Sequence, residues 1–193
     1  MSFSFIQHGQ QLLSSRRSII RATGLTLSGT AIALLAGRES LAAGSQAKSP
    51  KKDVGILNSA LGAELEAIAA YQVGAESGLL EKPVLDLAVQ FQGHHKAHAA
   101  LLASVVSKLG GKAVVAKAKY DFPVDKLKNQ ADVLRFAAML EKGAVSAYLG
   151  AVPLFGDREL AKAAASILGD EAMHWAILRN AVGENPVPLA FMA

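Results

Sequence analysis

The chain of 193 residues has no cysteine. That absence excludes disulfide scaffolds, thiolate zinc sites, iron–sulfur clusters and cysteine nucleophiles together. Aromatic residues make up only 6% and prolines number six. A strand-rich core needs aromatic and β-branched side chains, so their scarcity beside abundant Ala and Leu favours helices. Charged residues are few at 19%, against 51% hydrophobic, which excludes a disordered polyelectrolyte. Long hydrophobic runs are also scarce. The longest charge-free one, Ala22 to about Gly37, is near the lower limit for spanning a bilayer and is diluted by Gly, Thr and Ser.

What precedes that run gives it a meaning. Ser15-Arg16-Arg17-Ser18-Ile19-Ile20-Arg21 places a positive segment before a modest apolar one, and small residues follow at Ser40-Leu41-Ala42 and Ser45-Gln46-Ala47. This is the layout of a secretory signal, and the pair Arg16 and Arg17 resembles the twin-arginine consensus. The expected organisation is a signal over 1–42, a linker over 43–52, a helical domain over 53–182 and a tail over 183–193. Cleavage after Ala42 or after Ala47 remains open, and an uncleaved membrane anchor is the rival reading. Export implies the twin-arginine translocase as a partner and a periplasmic or secreted location.

The signal also accounts for the basic character. The formal charge is +4, and residues 1–42 hold four arginines and one glutamate. Without them, 16 basic groups face 15 acidic ones. No electrostatic footprint for nucleic acid is left.

Beyond the linker, helical periodicity recurs over about 53–78, from Pro83 to Gly110-Gly111, over about 130–152, and over about 157–182. The connections are short, long and short, as two antiparallel hairpins in a four-helix bundle require. Steps of three and four along each segment pick out an inward seam. The first seam is Leu57, Leu61, Glu64, Ile68, Tyr71, Ala75. The second is Val84, Ala88, Phe91, His95, His98, Leu102, Val105, Leu109. The third is Leu134, Ala138, Glu141, Val145, Tyr148, Val152. The fourth is Leu160, Ala164, Ile167, Glu171, His174, Leu178.

Each seam is apolar except near its middle, where every helix places Glu or His. A lone buried carboxylate costs several kcal/mol unless it is paired or coordinated. Six such groups in one layer therefore point to a metal centre formed by Glu64, His95, His98, Glu141, Glu171 and His174. An internal repeat agrees: Tyr71 follows Glu64 by seven residues, as Tyr148 follows Glu141. Glu64 to His98 is 34 residues and Glu141 to His174 is 33. Tyr71 and Tyr148 are expected to pack with hydrogen-bonded hydroxyls beside the ligands, or to act as redox-active phenols. Met139 and Met173 read as core filler, His94 as an exposed residue off the seam, and Glu66 as solvated.

A Glu from each of two helices, with a Glu-x-x-His turn from each of the other two, is how ferritin-like bundles hold two ions. Glu171-Ala172-Met173-His174 fits that turn, and Leu57-Asn58-Ser59-Ala60-Leu61-Gly62-Ala63-Glu64 resembles the family's first helix. The chain thus resembles the ferritin-like superfamily, specifically rubrerythrin-like and bacterial ferritin-like domain proteins. The resemblance implies an all-α antiparallel bundle, a carboxylate-bridged di-iron or di-manganese site, and ferroxidase, oxidase or peroxidase chemistry on oxygen or peroxide. It gives Glu64, Glu141 and Glu171 carboxylate ligand roles and His98 and His174 nitrogen roles. The rubredoxin-type centre of many rubrerythrins needs cysteine, so electrons would come from elsewhere.

His95 departs from the family pattern, which carries a bridging Glu there. It is either a nitrogen ligand or a core histidine in a degenerate site. Three carboxylates and three neutral imidazoles carry −3 against +4 for two divalent ions, so the second position is expected to be the weaker, with zinc able to compete. A non-catalytic metal-binding or structural stress protein is the alternative function, and a homodimer is left open. One consequence concerns export. Replacing Arg16 and Arg17 by Lys should hold the precursor in the cytoplasm, measured by fractionation and immunoblotting; unchanged export would exclude the twin-arginine route.

Overall fold

The computed structural model describes residues 50–192. Arg16, Arg17 and both cleavage candidates lie outside the described residues. Four long helices carry the described chain: α1 Pro50–Glu76, α2 Lys82–Lys108, α3 Gln130–Ala151 and α4 Arg158–Ala181. Short 3-10 turns at Val124–Lys126 and Val152–Leu154 complete the described secondary structure. The expected all-α, four-helix architecture is what the chain forms. α1 begins three residues earlier than expected, taking Pro50, Lys51 and Lys52 from the supposed linker. None of the described helices is long and apolar enough to cross a membrane.

Local chemistry sets the ends. Pro83 lies in the first turn of α2, where its missing N–H costs nothing. Asn129 caps α3 by accepting from the Asp132 N–H at 3.0 Å, and Asp157 caps α4 by accepting from Glu159 and Leu160. Gly110 and Gly183 adopt φ of 76° after α2 and α4. In both, the next N–H bonds back to the carbonyl five residues earlier, Gly111 to Val106 and Glu184 to Arg179, so orphan carbonyls are satisfied.

α1 packs along α2 and α3 along α4, and the hairpins meet chiefly between α1 and α3. Two hydrogen bonds tie the hairpins at opposite ends. The Glu81 N–H donates to Gln130 Oε1 at 2.8 Å, and the Gly156 N–H donates to Asp53 Oδ1 at 2.9 Å. The long connection is held at its start by Asn58, which donates to the Lys112 carbonyl and accepts from the Val114 N–H.

The seams of α3 and α4 are buried as expected, apart from the half-buried Val152. One core cluster joins Tyr71, Phe91, Leu134, Ala138, Trp175 and Leu178 from all four helices. Toward the other ends of the helices, Leu57, Leu61, Leu102, Val105, Leu160, Ala164 and Ile167 are buried. The polar layer lies between these apolar sets. Three expectations are corrected. Met139 and Met173 are 60% and 58% exposed, because each sits one residue from a seam position and is turned about 100° away from it. Leu109 is exposed because α2 ends at Lys108. Glu66 is half-buried, not fully solvated.

Asp53 is buried, and its carboxylate also accepts from the Asp157 N–H at 3.3 Å. Asp53→Ala strands these N–H groups at the mouth of α4. A loss of about 2 kcal/mol is expected, with Asp53→Asn costing less, measured by urea unfolding.

Candidate metal centre

Every predicted ligand reaches one layer. Glu64, His95, Glu141, Glu171 and His174 are each at most 2% exposed, and His98 is slightly more open. α1 supplies Glu64, α2 supplies His95 and His98, α3 supplies Glu141, and α4 supplies Glu171 and His174. Two groups of four form from these six. Glu64, His95, His98 and Glu171 make one, and His95, Glu141, Glu171 and His174 make the other. Within each, the potential ligand atoms lie within 4.8 Å of one another. His95 and Glu171 belong to both.

The shared pair divides its atoms between the groups. His95 Nδ1 lies 2.8 Å from Glu64 Oε2, and His95 Nε2 lies 3.2 Å from Glu141 Oε1. Glu171 Oε1 lies 3.0 Å from His98 Nδ1, and Glu171 Oε2 lies 3.7 Å from His174 Nδ1. The tyrosines cross between hairpins with the symmetry of the repeat. The Tyr148 hydroxyl donates to Glu64 Oε1 at 2.5 Å, and the Tyr71 hydroxyl donates to Glu141 Oε1. Both phenols therefore fix a carboxylate; the other oxygen of Glu64 meets His95 Nδ1, and the other oxygen of Glu141 makes no hydrogen bond.

Five buried side-chain atoms in this layer make no hydrogen bond: His98 Nδ1, His174 Nδ1, Glu141 Oε2 and both oxygens of Glu171, with His98 Nδ1 and Glu171 Oε1 meeting at 3.0 Å only as an ion pair. An unpartnered buried polar atom costs about 1–3 kcal/mol. Carboxylate oxygen and imidazole nitrogen are the donor set that iron, manganese and zinc accept. The residues fit divalent metal ions on both counts, geometry and chemistry.

Sequence reasoning missed Asp170. Its Oδ2 lies 3.0 Å from His94 Nδ1, 3.3 Å from His174 Nε2 and 3.4 Å from His98 Nε2. His94, expected to be exposed and off the seam, is only partly exposed and engaged with Asp170 and His174. The available signal was spacing: Asp170 and His174, like His94 and His98, are four apart on a helix and so share a face. A cavity of about 470 Å³ opens between α1 and α3. Small side chains, among them Ala60, Ala63, Ala67, Ala144 and Ala147, line it, and it reaches Glu64, His95 and Tyr148.

Protons neutralise the layer when no cation does. Burial pushes His95 down, but the carboxylates of Glu141 and Glu64 outweigh it and raise its pKa to about 10. Burial likewise opposes His98, which Glu171 and Glu64 raise to about 9. His174 is raised to about 9 against burial by Glu141 and Glu171, which at 3.6 and 3.7 Å act by charge. Burial would raise Glu64, but His95 and His98 hold it below its ordinary value; His174 and His95 do the same for Glu141. Burial and the Glu64 and Glu141 charges push both tyrosines up, so they stay protonated donors.

The sign of the resulting pH dependence follows. Histidines raised in the folded state contribute stability that is full below about pH 6.5 and lost as pH climbs through 9 to 10. Depressed carboxylates contribute above their ordinary value of 4.5 and lose that contribution as pH falls. The metal-free chain should therefore melt highest near pH 5–6.5, and its Tm should fall steadily towards pH 10, followed by circular dichroism. A Tm that is flat from pH 7 to 10 would contradict the protonated layer.

The ferritin-like domain family matches residues 52–184. No curated protein matches the chain. Among solved structures, a conserved hypothetical protein from Mycobacterium tuberculosis superposes with a TM-score of 0.64 at 24% identity, over 74% of this chain and 99% of its own. A ferritin-like, diiron-carboxylate protein from Bacillus anthracis str. Ames superposes with a TM-score of 0.61 at 18% identity, over 71% of this chain and 99% of its own. At these identities the two structures speak for the fold. The family match spans most of the sequence and all four helices, and the chain belongs to the ferritin-like domain family.

Proposed function

We propose that this protein binds up to two divalent metal ions, iron or manganese, in its buried layer and uses them in redox chemistry on oxygen or peroxide. The observation that carries the reading is the set of five buried donor atoms that make no hydrogen bond, shared between two quartets that meet at His95 and Glu171. The diiron-carboxylate description of the Bacillus anthracis structure supports the choice of iron. Zinc is the expected competitor, because three of the six ligands are imidazoles.

Each ligand has a role in this reading. Glu64 and Glu141 are terminal ligands, steadied by Tyr148 and Tyr71. Glu171 would be the carboxylate shared by both ions, since one of its oxygens faces each quartet. His98 and His174 supply one nitrogen each. A neutral imidazole has a single lone pair, so His95 serves one quartet at a time, and the second ion is held less tightly. Loading must also expel the protons that His95, His98 and His174 hold, so affinity rises with pH up to about 9–10. When bound, the ions supply one-electron redox steps and Lewis acidity. The largely apolar cavity between α1 and α3 gives a small uncharged oxidant a route to the Glu64 and His95 side of the layer. Export by the twin-arginine route, which carries folded proteins, allows the layer to be loaded before the chain leaves the cytoplasm.

One observation favours a second reading, a metal-binding protein without turnover: His95 stands where the family pattern has a carboxylate, and both of its nitrogens face glutamates. Stopped-flow mixing of anaerobically iron-loaded protein with oxygen or peroxide separates the two. Rapid oxidation with repeated turnover supports the first reading; stable ferrous occupancy supports the second. Glu141→Ala and Glu171→Ala should each bind iron at least about 100-fold more weakly while staying helical, since partners of ligands alone are worth 10–100-fold. His95→Glu should raise occupancy towards two ions. Full stoichiometry in either alanine variant would show that the layer is wrongly assigned.

A further inference from the structure

The buried layer does not use the outward nitrogen of His174. His174 Nε2, His94 Nδ1 and Asp170 Oδ2 form a near-equilateral triangle with edges of 2.9, 3.0 and 3.3 Å. Adjacent ligands on an octahedral ion with bonds of about 2.1 Å are about 3.0 Å apart. Two histidines and a carboxylate on one face of an octahedron, with the opposite positions open, are a recurrent set for ferrous iron and its neighbours. The side chains of His94 and Asp170 are 38% and 23% exposed, so the open positions face solvent, while His174 is 2% exposed. Phe91 stacks on the His174 imidazole with centroids 4.0 Å apart and holds its plane.

Hydrogen bonds give each of these atoms a partner but cannot fill all three edges of the triangle at once. Each ring nitrogen carries a proton or a lone pair, and the carboxylate offers lone pairs only. If one histidine is protonated here, the other meets Asp170 lone pair to lone pair. If both are protonated, two N–H groups face each other at 2.9 Å. Every arrangement leaves one edge with like ends opposed, whereas one cation satisfies all three edges.

We propose that His94, Asp170 and His174 form an outer metal site for a divalent transition ion, on the α2–α4 wall of the bundle. It shares His174 with the buried quartet but does not depend on that quartet being loaded. One neutral imidazole has one lone pair, so an ion outside at Nε2 and an ion inside at Nδ1 compete for His174. The outer site is therefore read most directly where the buried claim on His174 is weakened.

Cobalt(II) is the probe. Crystals of Glu171→Ala soaked in cobalt should give an anomalous peak about 2.1 Å from the three atoms of the triangle. Adding His94→Ala should remove that peak and weaken cobalt binding at one site at least tenfold in equilibrium dialysis. No peak in the triangle, or the same peak and affinity without His94, overturns the proposal. If Glu171→Ala fails to fold, the same pair is made on Glu141→Ala, which also breaks the quartet containing His174. Cobalt retained in the buried layer of the single variant counts against the buried assignment and leaves this one standing, so the two fail separately.

Discussion

Six ionisable side chains are packed into one layer with almost no access to water, and their charge must be balanced inside the protein. Unpaired, each buried carboxylate would cost several kcal/mol, a large share of the 5–15 kcal/mol that holds a domain together. Two balances are open to the layer. Protonated imidazoles can offset carboxylates, which is what the three raised histidines and the depressed Glu64 and Glu141 describe. Divalent cations can replace those protons, and they could also bind the five atoms that make no hydrogen bond. In the proposed function, the second balance is the one the bundle serves.

That organisation is a repeat. Each hairpin brings one Glu on its first helix and a histidine-bearing turn on its second, and each first helix sends a tyrosine across to the other hairpin's glutamate. The cross-bracing explains why these phenols are buried without being ligands. Apolar side chains on either side carry the fold, so the polar layer can be specialised for binding. Deleting a buried Leu on those seams typically costs 2–5 kcal/mol. Deleting Glu141 or Glu171 removes a desolvation cost along with a ligand.

Periodicity made the bundle and its candidate ligands legible, because a seam selecting Leu, Val and Ala elsewhere admitted Glu and His at one level on all four helices. The same seam logic lost Met139 and Met173, which it placed in the core although they stand one position off it. It also lost Asp170 and His94. Their side chains lie on the flank of the seam, where helices α2 and α4 approach, and only the three-dimensional approach brings them to His98 and His174. Asp53 read as a helix start; its role as acceptor for the α3–α4 turn is a contact over a hundred residues of sequence, which no local pattern carries. The cavity was equally hidden, since a row of alanines reads as packing until the facing row is known.

The central claim is that Glu171 is the common wall of two metal positions. It is tested most directly by anomalous diffraction at the iron edge from crystals loaded anaerobically with ferrous ion. Two peaks are predicted, one among Glu64, His95, His98 and Glu171 and one among His95, Glu141, Glu171 and His174, with unequal occupancy and each adjacent to a Glu171 oxygen. No iron beside Glu171, or iron found only elsewhere on the protein, would contradict the account.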